Sequence, residues 1–146
     1  MKNEPLVVER VYEASAAKVW KALTDPSEMK QWYFDLQGFR AEVGCEFEFT
    51  ASCDEKKTYR HLCRITEVID GKRLAYTWRY EGYEGDSLVS FELIPEGEKT
   101  RLRLTHSGLD TFPSDNPDLA SKNFEAGWNE ILGESLKNYL NKQPAL

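Results

Sequence analysis

The sequence predicts an α+β domain in which a curved antiparallel sheet wraps a long C-terminal helix. Three observations carry this: a β-rich segment and two short helical stretches open the chain, residues 45–106 switch to a period of two, and residues 123–140 return to a helical period. The 146 residues are enough for one substantial core, so a single domain spanning 1–146 is expected.

In "PLVVERVYEA" the β-branched Val7, Val8 and Val11 favour a strand, but Val7 and Val8 break the alternation and leave the phase of Glu9 and Arg10 open. Ser15 suits the N-cap of "AAKVWKALT", where Val19, Trp20 and Leu23 fall at helical spacing. Asp25 as a cap and Pro26 at the first position then start a second short helix, with Met29, Trp32 and Tyr33 recurring at three and four residues.

Cys45, Phe47, Phe49 and Ala51 alternate with Glu46, Glu48, Thr50 and Ser52, the pattern of a strand with one dry face. "DEKK" turns into "TYRHLCRITEVI", and "DGK" turns into "RLAYTWRY", where Leu74, Tyr76 and Trp78 share a face. Val89, Phe91 and Leu93 line one side of "SLVSFELI"; after the turn "PEGEK", Leu102 and Leu104 alternate with Arg101 and Arg103. "SGLDTFPSDNPD" reads as a loop with Asp118 as a cap for the last helix. At 100° per residue, Ala120, Phe124, Trp128, Ile131, Leu132, Ser135 and Tyr139 form the apolar face of that helix, with Leu136 at its edge. On this wheel Gly127 sits at the margin of the sheet-facing side, where a missing side chain admits a close approach, and Gly133 faces solvent. The layout is a helix grip.

Nineteen basic and 25 acidic residues give a net charge of −6, with the cations scattered, which argues against a nucleic-acid partner. Charge at Glu9 and Arg10 interrupts any signal-peptide core, and no apolar run approaches membrane-spanning length, so a cytoplasmic location is the expectation. Cys45, Cys53 and Cys63 show no zinc spacing with His61 and His106 and read as reduced thiols; no metal and no cofactor is expected.

The segments "VVERVYEASAAKVWKALTDPSEMKQWY", "ITEVIDGKRLAYTWRY", "SLVSFELIPEGEKTRLRLTHSGL" and "GWNEILGESLKNYL" resemble the START-like SRPBCC superfamily. The branch is the one named for the C-terminal domain of the heat shock protein 90 ATPase activator. The resemblance covers nearly the whole chain in the expected order. It implies a cavity between sheet and long helix, a space that members of the superfamily use for lipids, hormones or polyketide intermediates.

Candidate cavity-lining residues are Trp32, Phe47, Phe49, Tyr76, Trp78, Phe91, Phe124 and Trp128, with His106 and Ser135 as polar contacts. The same rings also suffice to fill the interior, and composition leaves pocket and solid core open. Ser135, placed in the middle of the apolar face, needs a partner: the carbonyl four residues earlier, His106, or a ligand. No serine or cysteine sits in a nucleophile motif and no carboxylate pair is visible, so no catalytic residue is assigned. The expected function is a non-enzymatic binding protein for a hydrophobic or amphipathic small molecule. The alternative is a protein-interaction or co-chaperone module with a chaperone partner; a third is a cyclase- or dehydratase-like enzyme, which requires His106 beside a carboxylate.

Overall fold

The computed structural model describes residues 5–33, 36–52, 58–112 and 121–142. Strand β1 (Leu6–Tyr12) leads into helices α1 (Ala16–Thr24) and α2 (Pro26–Trp32). Strands β2 (Glu46–Ser52), β3 (Thr58–Ile69), β4 (Arg73–Tyr80), β5 (Ser87–Glu96) and β6 (Lys99–Ser107) follow. The C-terminal helix α3 is an α-helix over Ser121–Glu130, a π-helix over Ile131–Leu136 and an α-helix again over Lys137–Lys142. This is the predicted α+β helix grip. The "DEKK" turn, Cys53, Asp118 and Ala120 lie outside the described residues.

Local chemistry sets the ends of the first helices. The Ser15 hydroxyl accepts the Lys18 N–H at 3.2 Å, and the Asp25 carboxylate accepts the Ser27 N–H at 2.9 Å, each satisfying a donor the helix itself cannot. All strand pairs are antiparallel, in the order β1-β6-β5-β4-β3-β2. The β5–β6 hairpin is tighter than its sequence suggests: Glu96 pairs with Lys99, leaving only Gly97 and Glu98 as the turn, with Gly97 at φ 68°. In β3 one residue is inserted between Ile65 and Glu67, so Ile65 faces the core while Glu67 meets Arg73 on the outer face. Such a bulge bends the strand and sharpens its twist.

The phase of β1, open in the sequence, is settled by its neighbours. Val8 and Tyr12 are buried against the helix side, and Arg10 points the same way, with Nη2 donating to Asn129 Oδ1 of α3 at 2.6 Å. Glu9 takes the outer face, where a hydrogen bond from Arg103 holds its carboxyl below the usual carboxylate range.

Helix α3 corrects the sequence reading in one respect. Its buried spine is Phe124, Trp128, Leu132, Leu136 and Leu140, whereas Ile131, Ser135 and Tyr139 are only partly buried. In an α-helix, residues four apart drift by about 40°. A π-turn, closing from i to i+5, takes more residues per turn, so the i+4 spine stays aligned and Leu136 replaces Ser135 on the core face. The Tyr12 hydroxyl bonds the Leu132 carbonyl at 2.7 Å inside this wider stretch, satisfying a buried acceptor.

Both glycine expectations are overturned. A Cβ at Gly127 would meet nothing within 4 Å, so no close approach occurs there. At Gly133 it would sit 3.3 Å from Arg10 Nε, so this residue faces β1 instead of solvent. We expect Gly127→Ala to stabilise by about 1 kcal/mol, the helix-propensity difference. Gly133→Ala should gain less, and the deficit should shrink in an Arg10→Ala background; urea unfolding of the four variants measures it as a double-mutant cycle.

Candidate functional site

Alternation along five strands turns one set of side chains toward α3. Phe47 and Phe49 come from β2, His61 and Cys63 from β3, Tyr76, Trp78 and Tyr80 from β4, Phe91 from β5, and His106 from β6; all are buried. Phe124 and Trp128 descend from the helix to meet them. Trp128 is the hub of this cluster, with ring centroids 5.4 Å from Trp78, 6.1 Å from Phe91, 6.0 Å from His106 and 6.2 Å from Tyr33. At one end Phe112 stacks on Phe124 at 5.8 Å, and Tyr80 packs edge-on to Phe112. At the other, Phe47 sits edge-on between Phe39 and Tyr76, each 5.0 Å away.

A chain of hydrogen bonds threads these rings. The Trp128 indole donates to His106 Nδ1 at 3.0 Å, and His106 Nε2 lies 2.8 Å from the Ser87 hydroxyl, which donates to the Trp78 carbonyl at 2.7 Å. An indole N–H can only donate, so Nδ1 accepts and Nε2 carries the ring proton to Ser87. Ser87 beside His106 has the spacing of a nucleophile and its base, but with Nε2 protonated the ring cannot take the serine proton. Burial depresses the His106 pKa to about 3, keeping the ring neutral. His61 is a second neutral imidazole: burial lowers its pKa to about 4, its ring lies 4.3 Å from Phe49 in a stacked arrangement, and Nδ1 is 3.1 Å from the Tyr59 carbonyl.

Further polar atoms face the same interior. The Tyr33 and Tyr76 hydroxyls are 2.9 Å apart, and the Trp78 indole donates to the Tyr80 hydroxyl at 2.9 Å. Burial raises the pKa of both Tyr33 and Tyr76 and of the Cys63 thiol, so all three are uncharged at neutral pH. Among the described residues no group of three His, Cys, Asp or Glu side chains is placed to hold a metal ion, and no helix is long and apolar enough to cross a membrane.

Of the residues singled out in the sequence, Phe47, Phe49, Tyr76, Trp78, Phe91, His106, Phe124 and Trp128 form this one buried cluster. Trp32 borders it, anchored by its indole donating to the Ala22 carbonyl at 2.9 Å and stacked on Tyr33 at 5.0 Å. Ser135 stands apart at the partly exposed flank of α3. Ser87 was missed, although its even spacing from Val89 and Phe91 put it on the buried face; His61 and Cys63 were legible only as a shared strand parity. A separate groove of about 650 Å³ lies on the other face of the sheet, among the outward residues Glu46, Arg64, Thr77 and Arg79. Apart from Phe47 and Cys63, it is lined by none of the groups just described.

A six-stranded antiparallel sheet gripping a C-terminal helix over an aromatic interior defines a helix-grip protein of the SRPBCC type. Residues 13–141 match the family model described as activator of Hsp90 ATPase homolog 1-like protein, and the chain belongs to that family. Among solved structures it is similar to protein MLL2253 from Mesorhizobium loti, with 28% identity, a TM-score of 0.78, and coverage of 97% of this chain and 100% of that one. Protein Mll3558 from Rhizobium loti superposes with a TM-score of 0.81 at 23% identity, covering 94% and 96% of the two chains. DynU16, a protein in the dynemicin biosynthetic locus, gives a TM-score of 0.77 at 23% identity over 96% of this chain; the present chain spans 48% of that protein. No curated protein matches the sequence.

The two neutral imidazoles set a pH dependence. Their folded pKa values, about 3 and about 4, lie below the ordinary 6.5, so between these limits the unfolded chain binds more protons than the folded one. Their contribution to stability is therefore complete above pH 6.5 and is lost as pH falls toward 3. His106→Gln keeps one acceptor and one donor but cannot titrate. We expect its unfolding free energy, from urea titrations, to fall less than that of the wild type between pH 6.5 and 4, by up to about 1.4 kcal/mol per pH unit; equal slopes would mean that His106 is not held neutral.

Proposed function

We propose that this domain binds a hydrophobic or amphipathic small molecule on the inner face of the sheet, beneath α3, and performs no chemistry on it. The observation that carries this reading is the inner surface itself: a continuous set of aromatic rings interrupted by uncharged hydrogen-bonding groups at His106, Ser87, Tyr33 and Tyr76. Apolar walls with a few fixed polar handles are how small-molecule sites are generally built. A neighbour from a biosynthetic locus, DynU16, shares the fold and is consistent with this use. Both nitrogens of His106 are engaged by Trp128 and Ser87, an arrangement that favours orientation over proton transfer. Residence in the cytoplasm, with the buried Cys45 and Cys63 as free thiols, belongs to the same reading.

The test is a titration of fatty acids and planar aromatics followed by Trp fluorescence and amide shifts. A saturable change with shifts on β4, β5 and the Trp128 turn of α3 is expected. No saturable response from any compound would overturn the reading.

The family match favours a second reading, in which the domain contacts a chaperone of the Hsp90 class. The outer face of the sheet, with its groove and exposed Arg64 and Arg79, is the surface it would use. Mixing the protein with the purified chaperone from the same cell should then show binding, weakened by Arg64→Glu with Arg79→Glu. Absence of both binding and any change in ATPase rate would remove this reading.

A further inference from the structure

Tyr33 differs from the other rings of the interior in how it is held. Trp78, Phe91 and His106 are fixed by the sheet and Trp128 by α3, whereas Tyr33 follows the last residue of the short helix α2, with its N–H bonded to the Met29 carbonyl at 2.6 Å. The residue is partly exposed, yet its hydroxyl reaches the fully buried Tyr76 at 2.9 Å. Its side chain therefore enters the interior from the surface and fills a flat slot. Its walls are Trp32, 5.0 Å away and 26° from parallel, Trp128, 6.2 Å away and 23° from parallel, and the tilted ring of Phe49, 6.1 Å away. At the inner end of the slot stands the Tyr76 hydroxyl.

We propose that Tyr33 is an internal stand-in for the ligand, which is a planar aromatic molecule bearing a hydroxyl group. This rests on the small-molecule reading above and specifies its chemistry. In the bound state the ligand ring takes the place of the Tyr33 ring among Trp32, Trp128 and Phe49, and its hydroxyl takes over the bond to Tyr76. Ring stacking selects a flat aromatic. The hydroxyl is needed because swinging Tyr33 out alone would strip Tyr76 of the bond it makes, and a buried hydroxyl is costly to leave unmatched. The group the ligand meets at the inner end of the slot, the Tyr76 hydroxyl, is neutral and suits an uncharged hydroxyl better than a charged lipid head. The unliganded protein binds its own side chain, so a ligand competes with Tyr33 and its apparent affinity is reduced by the fraction of molecules in which the slot is closed.

The experiment compares 2-naphthol with naphthalene on the wild type, Tyr33→Ala and Tyr76→Phe, alongside a fatty acid. Wild type should bind 2-naphthol roughly tenfold more tightly than naphthalene, a preference that Tyr76→Phe erodes. Tyr33→Ala should bind 2-naphthol more tightly than wild type does, since nothing has to be expelled. Independently of any variant, the Tyr33 ring resonances of the wild type should leave their Trp128-shifted positions on saturation. Saturable naphthol binding with those resonances unmoved, or with equal affinity in a folded Tyr33→Ala, overturns the proposal and leaves the small-molecule reading standing. Fatty-acid binding without naphthol binding does the same. Failure of every compound overturns both.

Discussion

An indole N–H has no lone pair to offer, and at Trp128 that fact organises the interior. Because the indole donates to His106 Nδ1, the imidazole is committed to one tautomer; because Nε2 then donates, the Ser87 hydroxyl is free to satisfy the Trp78 carbonyl. One side chain of the helix thus fixes the polar geometry of β4, β5 and β6. Trp128, His106, Ser87 and Trp78 are all buried and hydrogen-bonded in this relay, and removing a member would leave its neighbour unpaired in apolar surroundings. The same commitment explains why a serine beside a histidine here makes no catalytic pair.

The helix that delivers Trp128 is matched to the sheet by its π-turns. Leu132 and Leu136 are held on the core face across the widened stretch, while Tyr12 and Arg10 of β1 reach up to the Leu132 carbonyl and the Asn129 amide. An edge strand and the closing helix are joined by side chains and not by a ladder of backbone bonds. Such π-stretches recur at functional sites, and this one directly follows the turn that carries Trp128.

The two faces of the sheet follow opposite rules. Outside, an ion-pair ladder runs across strands from Glu67 through Arg73, Glu92, Arg103 and Glu9 to Arg101, in contact with water. Inside, His106, Ser87, Tyr33 and Tyr76 are uncharged and hydrogen-bonded among rings. The outer face is suited to solubility and to surface contacts, and the inner one to recognising an uncharged molecule by shape and by one or two hydrogen bonds. Tyr33 links the inner face to the surface, because its backbone lies outside the sheet, the residue is partly exposed, and its hydroxyl bonds that of the buried Tyr76.

Alternation, capping residues and turn chemistry are local, and they were enough to determine the strands, both short helices and the order of elements. Ser15, Asp25 and Pro26 sit where their side-chain chemistry requires, and β3 and β4 begin and end at the residues the pattern marks. The aromatic cluster was legible for the same reason: parity on a strand decides which side a residue faces. Tertiary structure decided what depends on contacts between distant segments. Arg10 and Glu9 could be phased only by Asn129 on one side and Arg103 on the other. Gly133 and Ser135 could be placed only once the π-turns had shifted the helix against β1, since a wheel with a fixed 100° step contains no information about where the step changes. The tautomer of His106 likewise belongs to no local pattern. It exists because Trp128 and Ser87, 22 and 19 residues away in the chain, converge on one ring.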